Sequence, residues 1–269
     1  MLTQTGVWRM MCVVTVLLLA FGGLGYADWD TLYWEEDVSG GTLNQTWTEF
    51  TSLAGGSSGV VDLGGGNWGY NHSANYWPDA GAGWAGAYVS VLEGNQGMKG
   101  WVDTSTMGAN GTAALSLLRY SATANPGMGF GSGYALAVTH NSAGSIMASL
   151  HHIHETGPVE IGAELQVLPT YSDVWFRFLA TGEDADTRLQ ARVWADGTDE
   201  PDTWLFDLGV ASNFYNTGFG GVGVVTQNPA LEAADATFDN LAYGVPEPAT
   251  MVLLATGLGA LAWRRRRTS

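Results

Sequence analysis

From residue 28 to residue 245 the chain never sustains an apolar stripe at helical spacing. Short apolar runs alternate in period two instead, broken by Gly, Asn, Asp and Pro. That pattern leaves strands as the only regular element able to bury one face. Asp173 to Ala180 shows it best: Val174, Phe176 and Phe178 share one face, and Trp175, Arg177 and Leu179 share the other. Residues 181–186 read as a turn, and Arg188 to Trp194 alternates again with Leu189, Ala191 and Val193 inward. The pair predicts an antiparallel hairpin. Further strands are expected at 86–92, 99–103, 112–119, 133–140, 145–153, 159–167, 203–208, 220–226 and 236–243. The Gly-rich stretch 55–69 reads as a long loop or a hairpin region. Many short strands with polar turns and no fixed repeat predict an all-β, two-sheet antiparallel sandwich.

The two ends differ from this middle. Arg9 precedes an apolar run, Met10 to Leu19, and Gly25 and Ala27 are small residues at signal-peptidase spacing. Residues 1–27 therefore read as a signal peptide cut by signal peptidase after Ala27, with Asp28 the new N-terminus. Cys12, the single cysteine, lies inside it. The mature chain thus has no disulfide and no thiol chemistry, and its stability rests on its core. At the other end Val245-Pro246-Glu247-Pro248 leads into an uncharged run from Ala249 to Trp263, then Arg264, Arg265, Arg266 and Arg267. A 15-residue helix rises about 22 Å, short of a hydrocarbon core of about 30 Å. Residues 249–263 are expected to form a short transmembrane helix that holds the chain transiently, with the arginines retained in the cytoplasm.

This order of proline-framed motif, apolar helix and arginine cluster resembles the PEP-CTERM sorting signal of Gram-negative bacteria. The resemblance covers residues 246–269. It implies recognition by an exosortase-type transpeptidase, cleavage at Pro246-Glu247-Pro248, and a host that makes extracellular polysaccharide. The expected destination is the cell surface or extracellular matrix.

Between the signals, residues 28–245 hold 25 acids against five bases, Lys99, Arg119, Arg177, Arg188 and Arg192, a net charge of −20. A surface this acidic repels nucleic acid and other polyanions. Gly133 to Val138, Trp175 to Phe178, Arg192 to Trp204, Gly220 to Gly223 and Phe238 to Leu241 together resemble the concanavalin A-like, laminin-G-like jelly rolls. That resemblance covers about residues 86–243 and implies a fold shared by lectins, carbohydrate-binding modules, glycosidases and inert stalks.

Catalytic motifs are missing. Glycosidases on this fold carry a Glu-x-Asp-x-x-Glu strand; Glu160 and Glu164 come nearest, with no Asp between them, and read as ordinary strand residues. Gly-x-Ser-x-Gly, a Walker loop and His-Glu-x-x-His are absent. No catalytic residue is assigned. His151-His152-Ile153-His154 is the dense ligand cluster, with His152 and His154 sharing a strand face and His140 or an acid to complete a zinc or copper site. The competing reading is a solvated strand end. The turn holding Asp196 and Asp199 is rich in oxygen, as is the pair Asp184 and Asp186. Calcium is the one cofactor such turns suit, although acidic turns also simply cap hairpins. Trp68, Tyr70, Tyr76, Trp77 and Trp84, set among glycines, are the candidate carbohydrate platform, against core filling as the plainer use of aromatics. Asn44, Asn71 and Asn110 stand in Asn-x-Ser/Thr sequons. The expectation is a non-enzymatic exported protein with a structural or glycan-associating role and extracellular polysaccharide as partner. The alternatives are a carbohydrate-active enzyme and a calcium-dependent adhesin.

Overall fold

A computed structural model describes residues 32–244 apart from 37–41, 44, 53–54, 65–66, 77, 79–81, 106, 108–111, 122–130, 155–156, 171–172, 211–214 and 228–232. The expected signal peptide, the junction at Pro246 and the apolar segment 249–263 lie outside the described residues. Within residues 32–245, one compact unit, the described strands form two antiparallel sheets.

The strands are β1 (Leu32–Glu36), β2 (Trp47–Thr51), β3 (Gly56–Gly64), β4 (Asn67–Asn75), β5 (Gly83–Glu93), β6 (Gln96–Asp103), β7 (Thr112–Ser121) and β8 (Ser132–His140). They continue with β9 (Ile146–His154), β10 (Gly157–Leu168), β11 (Val174–Thr181), β12 (Arg188–Ala195), β13 (Phe206–Gly209), β14 (Gly218–Thr226) and β15 (Ala233–Gly244). One sheet has the order β13-β12-β11-β6-β15-β4-β3, with β1 also paired to β15; the other has the order β10-β9-β8-β7-β14-β5-β2. Neighbours distant in sequence sit side by side, as the jelly-roll reading requires.

The inward faces follow the alternation. Phe176, Phe178, Val193 and Phe238 are 5% exposed or less and meet Leu118, Leu136, Leu150 and Val222 of the facing sheet in one core. The hairpin 174–181/188–195 forms in register, Phe176 opposite Val193. Leu179 points outward with Trp175, as expected, and is buried there. The Gly-rich stretch is the β3–β4 hairpin. The expected strand at 203–208 shrinks to Phe206–Gly209, and β1 and β2 had no signal of their own.

One end of the sandwich is held by a buried cation. Arg119 is fully buried and takes a positive φ of 50°. Its Nε donates to the Gly94 carbonyl at 2.7 Å, and its Nη1 to the Tyr215 carbonyl at 2.9 Å and Thr187 Oγ1 at 3.1 Å. Its Nη2 donates to the Gly182 carbonyl, and its backbone N–H donates to Gln96 Oε1 at 2.6 Å. Three connecting segments are thus tied to one side chain. Burial pushes the guanidinium below its usual range.

Candidate functional site

The outward face of the β10-to-β2 sheet is hollow. Many of its outward residues in the middle are small: Ala135 and Ala137 on β8, Ala113 on β7, Gly221 and Gly223 on β14, and Gly86 on β5, with Leu115 and Leu117 of β7 the large exceptions among them. A Cβ on Gly86 would stand 2.6 Å from the ring of Phe50, so glycine lets β2 lay that ring across the sheet. The result is a groove of about 380 Å³. Phe50, Trp84 and Tyr120 form aromatic parts of its lining, and Thr139, Ser149, His151, Glu160 and Glu164 form the polar part.

The polar wall is built by β9 and β10. Glu160 is the cross-strand partner of His151. Ser149 Oγ and His151 Nε2 are 2.8 Å apart, and Thr139 Oγ1 donates to Glu164 at 3.1 Å. Burial lowers the His151 pKa, and the charges of Glu160 and Glu164 oppose that shift. In the neutral ring the tautomer sets which of Ser149 Oγ and His151 Nε2 donates. Nδ1 has no hydrogen-bond partner among the described residues. Glu160 and Glu164, read from the sequence as ordinary strand residues, are therefore groove residues. The missed signal was the run of small outward residues on β8 and β14, which period-two analysis discards.

The five candidate aromatics are not brought together. Tyr70 faces the core and packs against Trp47, ring centres 5.5 Å apart, with 1% exposure. Trp84, on the other sheet, is 2% exposed at the groove. Both correct the expectation of an open platform: these rings fill space in separate layers. Trp68 and Tyr76 are half-buried, and Trp77 lies outside the described residues.

An aromatic row exists elsewhere. Trp101, Trp175 and Trp194 are direct neighbours across β6, β11 and β12, and all three point away from the core. The rings of Trp175 and Trp194 lie 6.4 Å apart and within 15° of parallel. Trp101 and Trp175 are half-buried; Trp194 is buried. The next row along the strands is cationic, Lys99, Arg177 and Arg192. Glu200 folds back over it, 3.6 Å from Lys99, 3.0 Å from Arg177 and 2.8 Å from Arg192. Lys99 Nζ stands 5.7 Å from the centres of both Trp175 and Trp194, and the Arg192 guanidinium lies 3.9 Å from the Trp204 ring.

The metal candidates are dispersed as well. Asp196 Oδ1 accepts from the Trp175 indole at 2.8 Å, and Glu200 of the same turn is drawn to the cations. Asp199 is exposed. Asp184 Oδ1 accepts from Asn216 Nδ2 at 2.6 Å. His152 is buried beside Tyr134 and Tyr215, its ring centre 5.0 Å from that of His154. The His140 ring donates to the Met107 carbonyl at 2.6 Å. Among the described residues no three His, Cys, Asp or Glu side chains converge as a ligand set.

Comparison with known proteins gives two findings. Residues 244–267 match the PEP-CTERM protein-sorting motif. The motif marks an exported protein directed to the surface or exterior and processed by an exosortase-type enzyme. Among the described residues no helix is long and apolar enough to cross a membrane. No curated protein matches the chain. Among solved structures the chain is similar to the Emp47p carbohydrate recognition domain, at 12% identity and TM-score 0.50, covering 81% of this chain and 98% of that one. It is also similar to carbohydrate-binding module CBM66 from Bacillus subtilis, at 14% identity and TM-score 0.45, covering 75% and 97%. A β-glucanase from Bacillus licheniformis aligns at 10% identity and TM-score 0.49, covering 79% and 97%. At 12% identity the likeness to the Emp47p domain is one of fold alone, and the two-sheet topology agrees with the concanavalin-like jelly roll.

Proposed function

We propose that this is an exported, non-enzymatic surface or matrix protein that associates with extracellular polysaccharide through the groove. One observation carries the reading: the groove sets the half-buried Phe50 ring, together with the buried rings of Trp84 and Tyr120, in the same concavity as a hydrogen-bonding wall, Thr139, His151, Glu160 and Glu164. A pyranose has the matching chemistry, an apolar C–H face and a rim of hydroxyls. Carboxylates accept from sugar hydroxyls, and Phe50 offers a ring to the C–H face. Among the described residues the lining holds no Lys or Arg, and it carries Glu160 and Glu164, so neutral sugars suit it better than uronates. The carbohydrate-binding neighbours agree with this reading without deciding it. Sedimentation of the protein with insoluble neutral polysaccharides tests it. Phe50→Ala and Glu164→Ala are each expected to weaken capture about tenfold or more, and unchanged capture in both variants defeats the proposal.

A second reading is carbohydrate-active catalysis in the same groove. It is favoured by the 2.8 Å Ser149–His151 contact with Glu160 directly across the strand pair, since a base beside a hydroxyl and an acid is a working arrangement. Release of reducing ends or unsaturated sugars from a polysaccharide panel, abolished in His151→Ala, decides for it over the binding reading.

A further inference from the structure

The opposite outward face carries four of the chain's 12 tryptophans, Trp101, Trp175, Trp194 and Trp204, and three of the five bases between the signals. We infer that this face is a second docking platform, for an uncharged polysaccharide chain lying across Trp101 and Trp175. With the groove as first site, one molecule then joins two glycan chains. The inference rests on the groove reading only for this joining; the platform itself stands on its own geometry.

Three features argue for it. First, the register places three indoles side by side on adjacent strands, about 10 Å from the first strand to the third. Trp101 and Trp175 are half-buried, and buried Trp194 stacks near-parallel to Trp175 with Lys99 Nζ 5.7 Å from both ring centres. Second, the platform is set before a ligand arrives. Asp196 holds the Trp175 indole N–H at 2.8 Å, and a fixed ring loses little freedom on binding. Third, the patch selects against charge. Glu200 engages Lys99, Arg177 and Arg192 together, so these cations are already occupied with a carboxylate of the protein. The net −20 of residues 28–245 repels a polyanion beyond that contact. A neutral hydroxyl-rich ring meets neither obstacle: it stacks on indole, and its hydroxyls reach Lys99 and Asp103, both half-buried at the edges of the row. The two sites belong to outward faces of different sheets and so point away from each other. That geometry suits bridging, not binding one short ligand twice.

The test uses the full chain in mild detergent, with a panel of neutral β-glucans, mannans and galactans and of uronate polymers. Each polymer is fixed to beads, and recruitment of its soluble, labelled copy reports bridging. Bridging of a neutral polymer is expected. The double variant Trp101→Ala/Trp175→Ala should lose bridging at least tenfold and keep part of the capture. Ala137→Leu, which fills the groove, should also lose bridging and keep only the part of the capture that the indoles supply. Circular dichroism checks the fold of each variant. Trp175→Phe, which preserves packing, should fall between parent and double variant. Added neutral glycan should still shift indole emission when the groove is filled. Capture and bridging unchanged in the double variant overturn the platform, as does recruitment of uronate polymers alone or of no neutral polymer. Loss of capture in Ala137→Leu alone overturns it too and leaves the groove reading standing. Loss of capture in the Trp variant alone supports the platform and removes the groove reading.

Discussion

The two outward faces share one construction and reach opposite reliefs. Both sheets send large apolar residues inward and present alternate residues outward. On one sheet those outward residues include Ala113, Ala135, Ala137, Gly221 and Gly223 beside Leu115 and Leu117, and the face sinks into a groove. On the other they are Trp101, Trp175, Trp194, Arg177 and Arg192, and the face is built up and pinned by Glu200. Relief is therefore set by residue size at positions that burial leaves free. A protein of this fold can hold two surfaces of different chemistry over one shared core.

The most severe way to break the comparison is to remove that shared support. Phe176 lies in the common core, its ring 6.5 Å from that of Phe238 and at 90° to it. Phe176→Ala is expected to cost about 3–5 kcal/mol, measured by chemical denaturation. Both faces should then fail together. A near-neutral result would mean that the sheets do not rely on this contact.

Lowering the pH should strain the core selectively. His72 is fully buried, with Nδ1 2.7 Å from Ser58 Oγ and its ring edge-on to Tyr70 and Phe238. Burial lowers its pKa to about 3. The unfolded chain takes up the proton near pH 6.5, so the stability is fully present above that value and is lost as pH falls from 6.5 toward 3. Between pH 7 and pH 5 the loss from this residue is about 2 kcal/mol. Denaturation curves at the two pH values should show it, and His72→Gln should flatten the difference. The groove's His151 is also lowered by burial, though glutamates oppose the shift. His151→Gln should leave most of the pH dependence in place, which separates core from face.

What the sequence reveals follows the same division. Period-two alternation identified Phe176, Phe178, Val193 and Phe238 as inward because burial imposes that pattern. It could not identify the groove, because small outward residues leave no hydrophobic signal. It could not assemble the tryptophan row either, since Trp101 meets Trp175 only through the pairing of β6 with β11, some 70 residues apart in the chain. The glycine-flanked aromatics misled for a related reason: Tyr70 and Trp84 sit near each other in sequence but on different sheets. The sorting motif was legible because it is read as a linear segment.

A smaller effect sharpens the built-up face alone. Glu200 is 19% exposed and contacts three cations. Glu200→Gln leaves Lys99, Arg177 and Arg192 mutually repelling. The partly screened cost is about 1–2 kcal/mol. Thermal denaturation measures it, and high salt should reduce the difference. Groove binding should be unchanged. Uronate polymers should now be captured better than by the parent, because the cations are released to them.

The mildest substitution in stability bears hardest on the comparison. Ala137 stands between Leu115 and Ser149 on the groove floor, and its methyl points away from the core. Leucine there projects into a concavity of about 380 Å³, not into packed atoms, so the usual overpacking cost of about 1–3 kcal/mol should shrink to about 1 kcal/mol or less. The strand register should not move, since the inward neighbours Leu136 and Val138 are untouched. Ligand binding in the groove should nevertheless fall at least tenfold, because the added branch occupies the space between Phe50 and the Glu164 wall. If bridging survives Ala137→Leu while the fold is intact, or if affinity survives it in the Trp101→Ala/Trp175→Ala background, the hollow is not where glycan binds. Relief would then be a by-product of small residues, and the indole row alone would define the ligand face.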